Sequence, residues 1–214
     1  MPRTKTKEKI LHVPTTHEQL ICMGSMPMYA KILLENSGPK PYTEFLKWLI
    51  EKKFFKDVEE KVPIKKMAAD FKSDSAKVTK WIKDIYQGIF ELNDEKPEIF
   101  QRDGEFKVRL IARYFDSSCS FALSLPVLPR EFEQFNFYFF RGVVGTDYFW
   151  VKKIQYDMED DQVNILVWLE AGFVNKYREF ALDKALFQGW IGSSDVYHKY
   201  PYELDKELKN LYKD

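Results

Sequence analysis

The residues with the most distinctive chemistry in this chain are the lysines between residues 61 and 83. This segment contains seven lysines against two carboxylates, Asp70 and Asp74, so its net charge is +5. Ammonium groups pair with phosphates or guanine edges, and the serine and threonine hydroxyls between them donate hydrogen bonds to either group. Each phosphate that a lysine neutralises releases bound counterions and so adds affinity. The segment is typical of a surface that binds a polyanion.

Apolar residues of the same segment must position those lysines. Val78, Trp81, Ile82 and Ile85 recur at i, i+3, i+4 and i+7, which is the spacing of the buried stripe of a helix. A shorter helix is expected before it, because the fixed φ of Pro63 suits the first turn of a helix. The segment is therefore predicted to form two helices, with the lysines of the second helix away from its buried stripe.

Residues 64–83 resemble the helix-turn-helix segment of DNA-binding proteins. Ala68 stands where a small residue lets the two helices approach, and Phe71 is the apolar anchor that closes the first helix. Val78 and Trp81 follow ten and thirteen positions after Ala68, as they do in this family. The resemblance implies that the second helix enters the major groove of double-stranded DNA.

The turn of the segment differs from the family pattern at two positions. Lys72 stands where the family usually has glycine, and Ser73 stands where it usually has an apolar residue. A left-handed turn at Lys72 costs about 1 kcal/mol or more relative to glycine. Either Ser73 or Asp74 can cap the second helix. The residues predicted to contact DNA are Lys65, Lys66, Ser73, Ser75, Ala76, Lys77, Thr79, Lys80 and Lys83.

A plain helical hairpin is the alternative interpretation of this segment. Two amphipathic helices joined by a short polar turn are common in helical proteins, and their lysines then form a solvated face. The charge distribution along the chain favours the first interpretation. Residues 1–90 hold 17 Lys and Arg against 11 Asp and Glu, whereas residues 91–214 hold 16 against 22. Unless this division of +6 and −6 arose by chance, the first half is the part expected to approach a polyanion.

No combination of residues in the sequence predicts catalysis or a cofactor. His12, His17 and Cys22 are each five positions apart, which does not bring their side chains to one helical face. The Gly142-Val143-Val144-Gly145 run lacks the Lys-Ser/Thr pair that completes a phosphate-binding loop. We therefore expect a protein that is not an enzyme and that holds neither a metal nor another cofactor.

Composition and hydropathy predict a cytoplasmic protein without a membrane partner. Cys22 and Cys119 are too few for a disulfide framework, and no apolar core follows the basic N-terminal residues as it does in a signal peptide. No apolar run approaches the roughly 20 residues needed to span a bilayer.

Two further helices are predicted before the basic segment, and the pattern changes after residue 93. One helix begins at Pro27, with Ser25 as its cap, and is stopped by the run Asn36-Ser37-Gly38-Pro39; the next is capped by Thr43 and ends near Phe55. Period-two alternation then predicts strands. Their ranges are Phe106–Tyr114, Ser120–Leu125, Phe135–Val144, Tyr148–Tyr156, Val163–Leu169 and Val174–Phe180, and a C-terminal helix spans Glu203–Tyr212.

These elements predict an α+β fold. A helical, helix-turn-helix-like domain (residues 1–92) precedes a mainly antiparallel β domain (residues 93–214), a meander that closes into a small barrel or sandwich and ends in a helix. The acidic residues 157–161 are expected in a hairpin turn. The aromatic residues between Phe135 and Trp150 are expected to fill the core, and their alternative role is a ligand pocket, a base-stacking platform or a subunit interface.

The sequence thus favours a DNA-binding protein, a transcriptional regulator or a nucleic-acid accessory factor. The alternative is a non-catalytic interaction or assembly subunit, in which the aromatic-rich β domain binds a protein partner or a second copy of the chain.

Overall fold

The structure is a computed structural model that describes residues 9–52, 63–159 and 162–213 of the 214-residue chain. The chain forms two compact units, an N-terminal unit that ends at Gly172 and a C-terminal unit that begins at Phe173. Helices and strands from both sides of residue 92 contribute to one hydrophobic cluster in the N-terminal unit. The predicted domain boundary between residues 92 and 93 does not coincide with the boundary between these two units, and it stays a prediction.

In the described residues, five α-helices precede the first strand of the N-terminal unit. They are α1 (Thr16–Ser25), α2 (Pro27–Asn36), α3 (Thr43–Glu51), α4 (Ile64–Asp70) and α5 (Ser75–Glu95). The sequence analysis missed α1, although Thr15 and Glu18 have the spacing of a capping box. The Thr15 hydroxyl accepts a hydrogen bond from the Glu18 N–H and so caps this helix.

The helices α2 and α3 begin as predicted, but their predicted caps are wrong. Ser25 still belongs to α1, where its hydroxyl donates to the Cys22 carbonyl oxygen. The Thr43 hydroxyl accepts a hydrogen bond from the Lys40 N–H in the preceding turn, so it caps no N–H of α3. The predicted end of α3 near Phe55 lies outside the described residues.

The five strands form one mixed sheet. They are β1 (Phe106–Tyr114), β2 (Ser117–Leu125), β3 (Gln134–Asn136), β4 (Tyr148–Glu159) and β5 (Gln162–Ala171), in the order β2-β1-β5-β4-β3. The α+β class is confirmed. The neighbouring strands pair antiparallel except β1 and β5, which pair in parallel, so the sheet is mainly antiparallel as expected but is not a simple meander. After β2 at one edge of the sheet, the chain crosses to β3 at the opposite edge. It then returns through β4 to β5, which lies beside β1 in the centre and runs parallel to it. The tip of the predicted β4–β5 turn lies outside the described residues.

The predicted strand Phe135–Val144 is wrong. Only Gln134–Asn136 is a strand, and a 3-10 turn (Tyr138–Phe140) and the short helix α6 (Arg141–Val144) follow. A strand would send alternate rings to opposite faces, whereas this turn buries Phe137, Phe139 and Phe140 together. Most of the aromatic residues between Phe135 and Trp150 are therefore core residues, as the preferred interpretation expected, and Tyr148 is the exposed exception.

The core of the N-terminal unit is rich in edge-to-face aromatic contacts. The ring of Phe121 on β2 meets those of Phe100 and Phe139 edge to face, at 5.2 and 5.4 Å, and it also lies 4.9 Å from the tilted ring of Tyr29. Ring pairs in this geometry add to the free energy that burial itself contributes. They join α2, the 3-10 helix Pro97–Phe100 and the sheet into one packed layer.

The C-terminal unit contains α7 (Lys176–Phe187), α8 (Ser193–His198) and α9 (Pro201–Leu211). Helix α9 confirms the predicted C-terminal helix, but the predicted strand Val174–Phe180 is wrong. The Asn175 side chain accepts a hydrogen bond from the Arg178 N–H, which caps α7 and starts a helix there. None of the helices in the described ranges has both the length and the apolar character needed to cross a membrane.

Candidate nucleic-acid interface

Helices α4 and α5 are joined by the short connection Phe71–Asp74. The Ser73 N–H donates to the Ala68 carbonyl oxygen at 2.8 Å, and the Lys72 N–H donates to the Ala69 carbonyl oxygen at 3.0 Å. This pair of hydrogen bonds defines a Schellman motif. In this motif the residue after the C-cap, here Lys72, has left-handed backbone angles. Lys72 has φ +56°, so the chain adopts here the turn that was expected to be costly without glycine.

The start of α5 is fixed by Asp74 rather than by Ser73. The Asp74 carboxylate accepts a hydrogen bond from the Ala76 N–H, one of the N–H groups that a helix leaves without a partner in its first turn. A carboxylate at this position is also stabilised by the positive end of the helix dipole. Of the two predicted caps, the structure therefore selects Asp74.

Aromatic rings from three helical segments brace the α4–α5 junction. Phe71 lies 5.2 Å from Phe45 and 5.9 Å from Trp81, and Phe45 lies 5.5 Å from Trp81, all measured between ring centroids. Trp48 on α3 stacks against Phe45. The predicted anchors Phe71 and Trp81 thus meet, and α3 supplies the remaining side of the cluster.

The predicted buried stripe of α5 is confirmed. Val78, Ile82 and Ile85 are fully buried, Trp81 is partly buried, and Ala68 on α4 is buried. The lysines of both helices point away from this core. We define the lysine surface as the exposed side chains of Lys65, Lys66, Lys72, Lys77, Lys80 and Lys83.

The other predicted contact residues border the lysine surface on the first turns of α5. Ala76 is exposed, and Ser73, Ser75 and Thr79 are partly exposed. In the described part of the chain, none of the six lysines is in an ion pair with a carboxylate. The positive charge of this surface is therefore not neutralised by carboxylates of those residues. Lys72 joins the surface through its left-handed turn and was absent from the predicted set.

Contacts in the second half of α5 fix the direction of the helix, and no pattern in the sequence predicts them. Asn93 is fully buried, and its amide both donates to the Ala122 carbonyl oxygen and accepts from the Ala122 N–H, each at 2.7 Å. These are the edge-facing groups of β2, which the sheet leaves unpaired. Two turns earlier on the same side, the Tyr86 hydroxyl donates to the Phe139 carbonyl oxygen.

A second cluster of charged side chains lies near the N-terminal end of α1. His12 Nε2 is 3.2 Å from Glu18 Oε2, and Arg141 reaches both Glu18 at 3.3 Å and Asp147 at 3.4 Å. The His12 N–H also donates to the Ser117 hydroxyl. These contacts tie the residues before α1 to α6 and to β2, which is a structural role.

The remaining reactive groups of the N-terminal unit are poorly placed for chemistry. Burial raises the pKa of the Cys22 thiol to about 12 and raises the pKa of the Cys119 thiol further. Both thiols are therefore neutral near pH 7 and weak nucleophiles. Among the described residues, no group of three or more His, Cys, Asp or Glu side chains is arranged to hold a metal ion.

A groove of about 620 Å³ lies against β1 and β5, and its charged lining is balanced. Lys107 and Arg109 face it together with Glu98 and Asp157. Arg109 is moreover paired with Asp94 at 3.2 Å. The groove therefore lacks the net positive charge of the lysine surface.

Comparison of the chain with protein-family models, with curated proteins and with solved structures finds no match.

Proposed function

We propose that this chain binds double-stranded DNA through the lysine surface, with the first turns of α5 in the major groove. The observation that carries the proposal is that six exposed lysines without carboxylate partners in the described residues share one helix-turn-helix-like segment. Such a surface favours phosphates because each contact releases counterions. A role as a transcriptional regulator or a nucleic-acid accessory factor follows from this binding.

The packing of α5 supports the proposal, because a helix that enters a groove must be held firmly. The aromatic cluster around Phe71 braces its first half, and the double hydrogen bond of Asn93 holds its second half. The lysines between these anchors then present a preformed charged face. Binding would order few side chains besides the lysines themselves.

The test compares two triple variants that lose the same formal charge. The first replaces Lys77, Lys80 and Lys83 by Ala on α5. The control replaces Lys206, Lys209 and Lys213 by Ala; these are three exposed lysines of the C-terminal unit. Affinity for a mixed-sequence duplex is measured by fluorescence anisotropy at several salt concentrations.

The α5 variant is expected to lose about tenfold or more in affinity, and its salt dependence should flatten by about 0.9 per lost phosphate contact. Its melting temperature should stay nearly unchanged, because exposed lysines on a helix contribute little to folding and Ala is a strong helix former. The control should bind as the unaltered chain does. Equal losses in both variants, or unchanged affinity in a folded α5 variant, would contradict the proposal.

An interaction or assembly subunit is the second candidate function, and one observation favours it. The sequence-based form of this hypothesis took the aromatic rings between Phe135 and Trp150 as the binding surface. Most of these rings are buried. The C-terminal unit instead exposes seven aromatic side chains, Phe173, Tyr177, Phe180, Phe187, Trp190, Tyr197 and Tyr202.

A further inference from the structure

The C-terminal unit has a small aliphatic core for its size. It spans about 40 residues, and its buried aliphatic side chains are Ala181, Leu182, Ala185, Ile191, Leu204 and Leu208. Units of this length bury little of their surface by themselves and commonly gain stability from association. Most of the aromatic side chains in this unit are exposed, which reverses the usual arrangement.

Helix α7 is apolar on two faces. Ala181, Leu182 and Ala185 face the core of the unit. On the other face Tyr177, Phe180 and Phe187 are 74, 67 and 92% exposed, and Lys184 lies between the last two. We call these four residues the α7 stripe. A helix that is apolar on both faces is usually covered on both.

The charges of this unit argue against a strongly charged partner for the α7 stripe. The segment from Phe173 to Asp214 holds seven Lys and Arg residues and seven Asp and Glu residues. Several of them pair within the unit: Arg178 contacts Glu179 and Asp205, and Lys199 contacts Asp195 and Glu207. A partner for the α7 stripe therefore need not carry a net charge, and a second copy of this unit meets that condition.

The spacing of the α7 stripe is the same in both directions along the helix. Its members follow one another at intervals of three, four and three residues. A two-fold axis through the middle of the stripe therefore places each member of one stripe opposite a member of the other, as in an isologous interface, where residue i contacts j and j contacts i. Tyr177 would then face Phe187 of the partner subunit, and Phe180 would face Lys184 of the partner subunit.

Lys184 suits this arrangement because it already lies over a ring. Its ammonium nitrogen is 5.3 Å from the centroid of the Tyr212 ring, within the range of a cation–π contact. In the antiparallel arrangement it also approaches Phe180 of the partner subunit. The two copies of Lys184 are offset from each other by four residues, about 6 Å along the helix, so each ammonium group faces a ring rather than the other ammonium group.

We propose that the chain forms a dimer in which the α7 stripes of two copies pair antiparallel. Six aromatic rings would be covered, which corresponds to roughly 1,000 Å² of buried surface. An interface of this size is at the weak end of specific interfaces. The dimer is therefore expected to form in a concentration-dependent way. This proposal does not depend on DNA binding.

Sedimentation equilibrium of the full chain from about 1 to 200 μM tests the dimer. The double variant Phe180→Asp/Phe187→Asp should raise the dimer dissociation constant about thirtyfold or more, as the loss of central aromatic contacts does at other interfaces. The control Tyr156→Asp/Met158→Asp removes two similarly exposed apolar side chains from β4 and should dimerise as the unaltered chain does. A chain that stays monomeric throughout, or a folded α7 variant that dimerises normally, would overturn the proposal.

Cysteine pairing tests the antiparallel geometry separately. With Tyr177→Cys and Phe187→Cys in one chain, mild oxidation should give a disulfide-linked dimer, because each new thiol faces the other position on the partner. Either single variant should not cross-link, since ten residues of helix separate its two copies by about 15 Å. Efficient cross-linking of a single variant would contradict the antiparallel arrangement, even if a dimer exists.

Discussion

At the scale of single residues, Asn93 is the side chain on which the direction of α5 most depends. It is buried at the C-terminal end of the helix and satisfies both edge-facing backbone groups of Ala122. In the sequence, this asparagine belongs to a polar run that indicates only the end of a helix. Its partner is 29 residues away, so local pattern cannot identify the contact.

Replacing Asn93 by Ala should destabilise the N-terminal unit by about 2–4 kcal/mol. The change leaves a buried N–H and a buried C=O of β2 without partners, and each such group costs roughly 1–3 kcal/mol. Urea unfolding monitored by tryptophan fluorescence measures the difference. Asn210→Ala, at an exposed position of α9, is the control and should change the free energy of unfolding by less than about 0.5 kcal/mol. Equal stability of the two variants would show that the Asn93 contacts are unimportant.

At the scale of elements, the α4–α5 junction combines a strained residue with a basic one. Lys72 occupies the left-handed position of the Schellman motif at φ +56°, where glycine has no steric penalty. From the sequence, Lys72 was expected to make this turn atypical, because glycine usually stands at this position in the family; the structure nevertheless has a left-handed turn at Lys72.

Substitution of Lys72 by Gly should therefore stabilise the chain by about 1 kcal/mol, because it removes the strain of a left-handed non-glycine residue. Lys72→Ala is the matched control, since it loses the same charge but keeps a Cβ. Comparison of the thermal unfolding of the two variants separates the effect of the backbone conformation on stability from the effect of the lost charge. A Gly variant that is no more stable than the Ala variant would contradict the strained turn.

Elements with strong periodicity were predictable, and those that depend on distant contacts were not. The stripe of α5 and the alternation of β1 follow from residue spacing, and both are confirmed. The run from Phe135 to Val144 has the composition of a strand, but it folds as a turn because three of its rings enter the core together. Asn175 and Thr15 are cap signals that the sequence contained and the analysis did not use.

At the scale of the whole molecule, the sheet order could not be read from the sequence. Consecutive strands usually pair, which predicts a meander. Here β5 enters between β1 and β4, so the last strand lies in the middle of the sheet. Its neighbour β1 precedes it by about 50 residues, and no local pattern specifies that pairing.

The candidate interface was more predictable than the sheet, because charge and helical period are local properties. The proposed lysine contacts were all identified from the sequence except Lys72, and all six of these lysines are exposed. The sequence does not show how firmly tertiary contacts hold the segment in place. That depends on Phe45 of α3, which contacts Phe71, and on Tyr86 and Asn93 in the second half of α5, which bind the backbone of Phe139 and Ala122.

The most direct test of DNA binding by the lysine surface is a salt titration of the unaltered chain with mixed-sequence duplex DNA. If several of the six lysines contact phosphates, the logarithm of the association constant should fall linearly with the logarithm of salt concentration, with a slope between about −3 and −6. Affinity would then drop by roughly two to four orders of magnitude between about 50 and 200 mM salt. No binding at about 50 mM salt, or an affinity that salt does not change, would contradict the proposed DNA-binding role of the lysine surface.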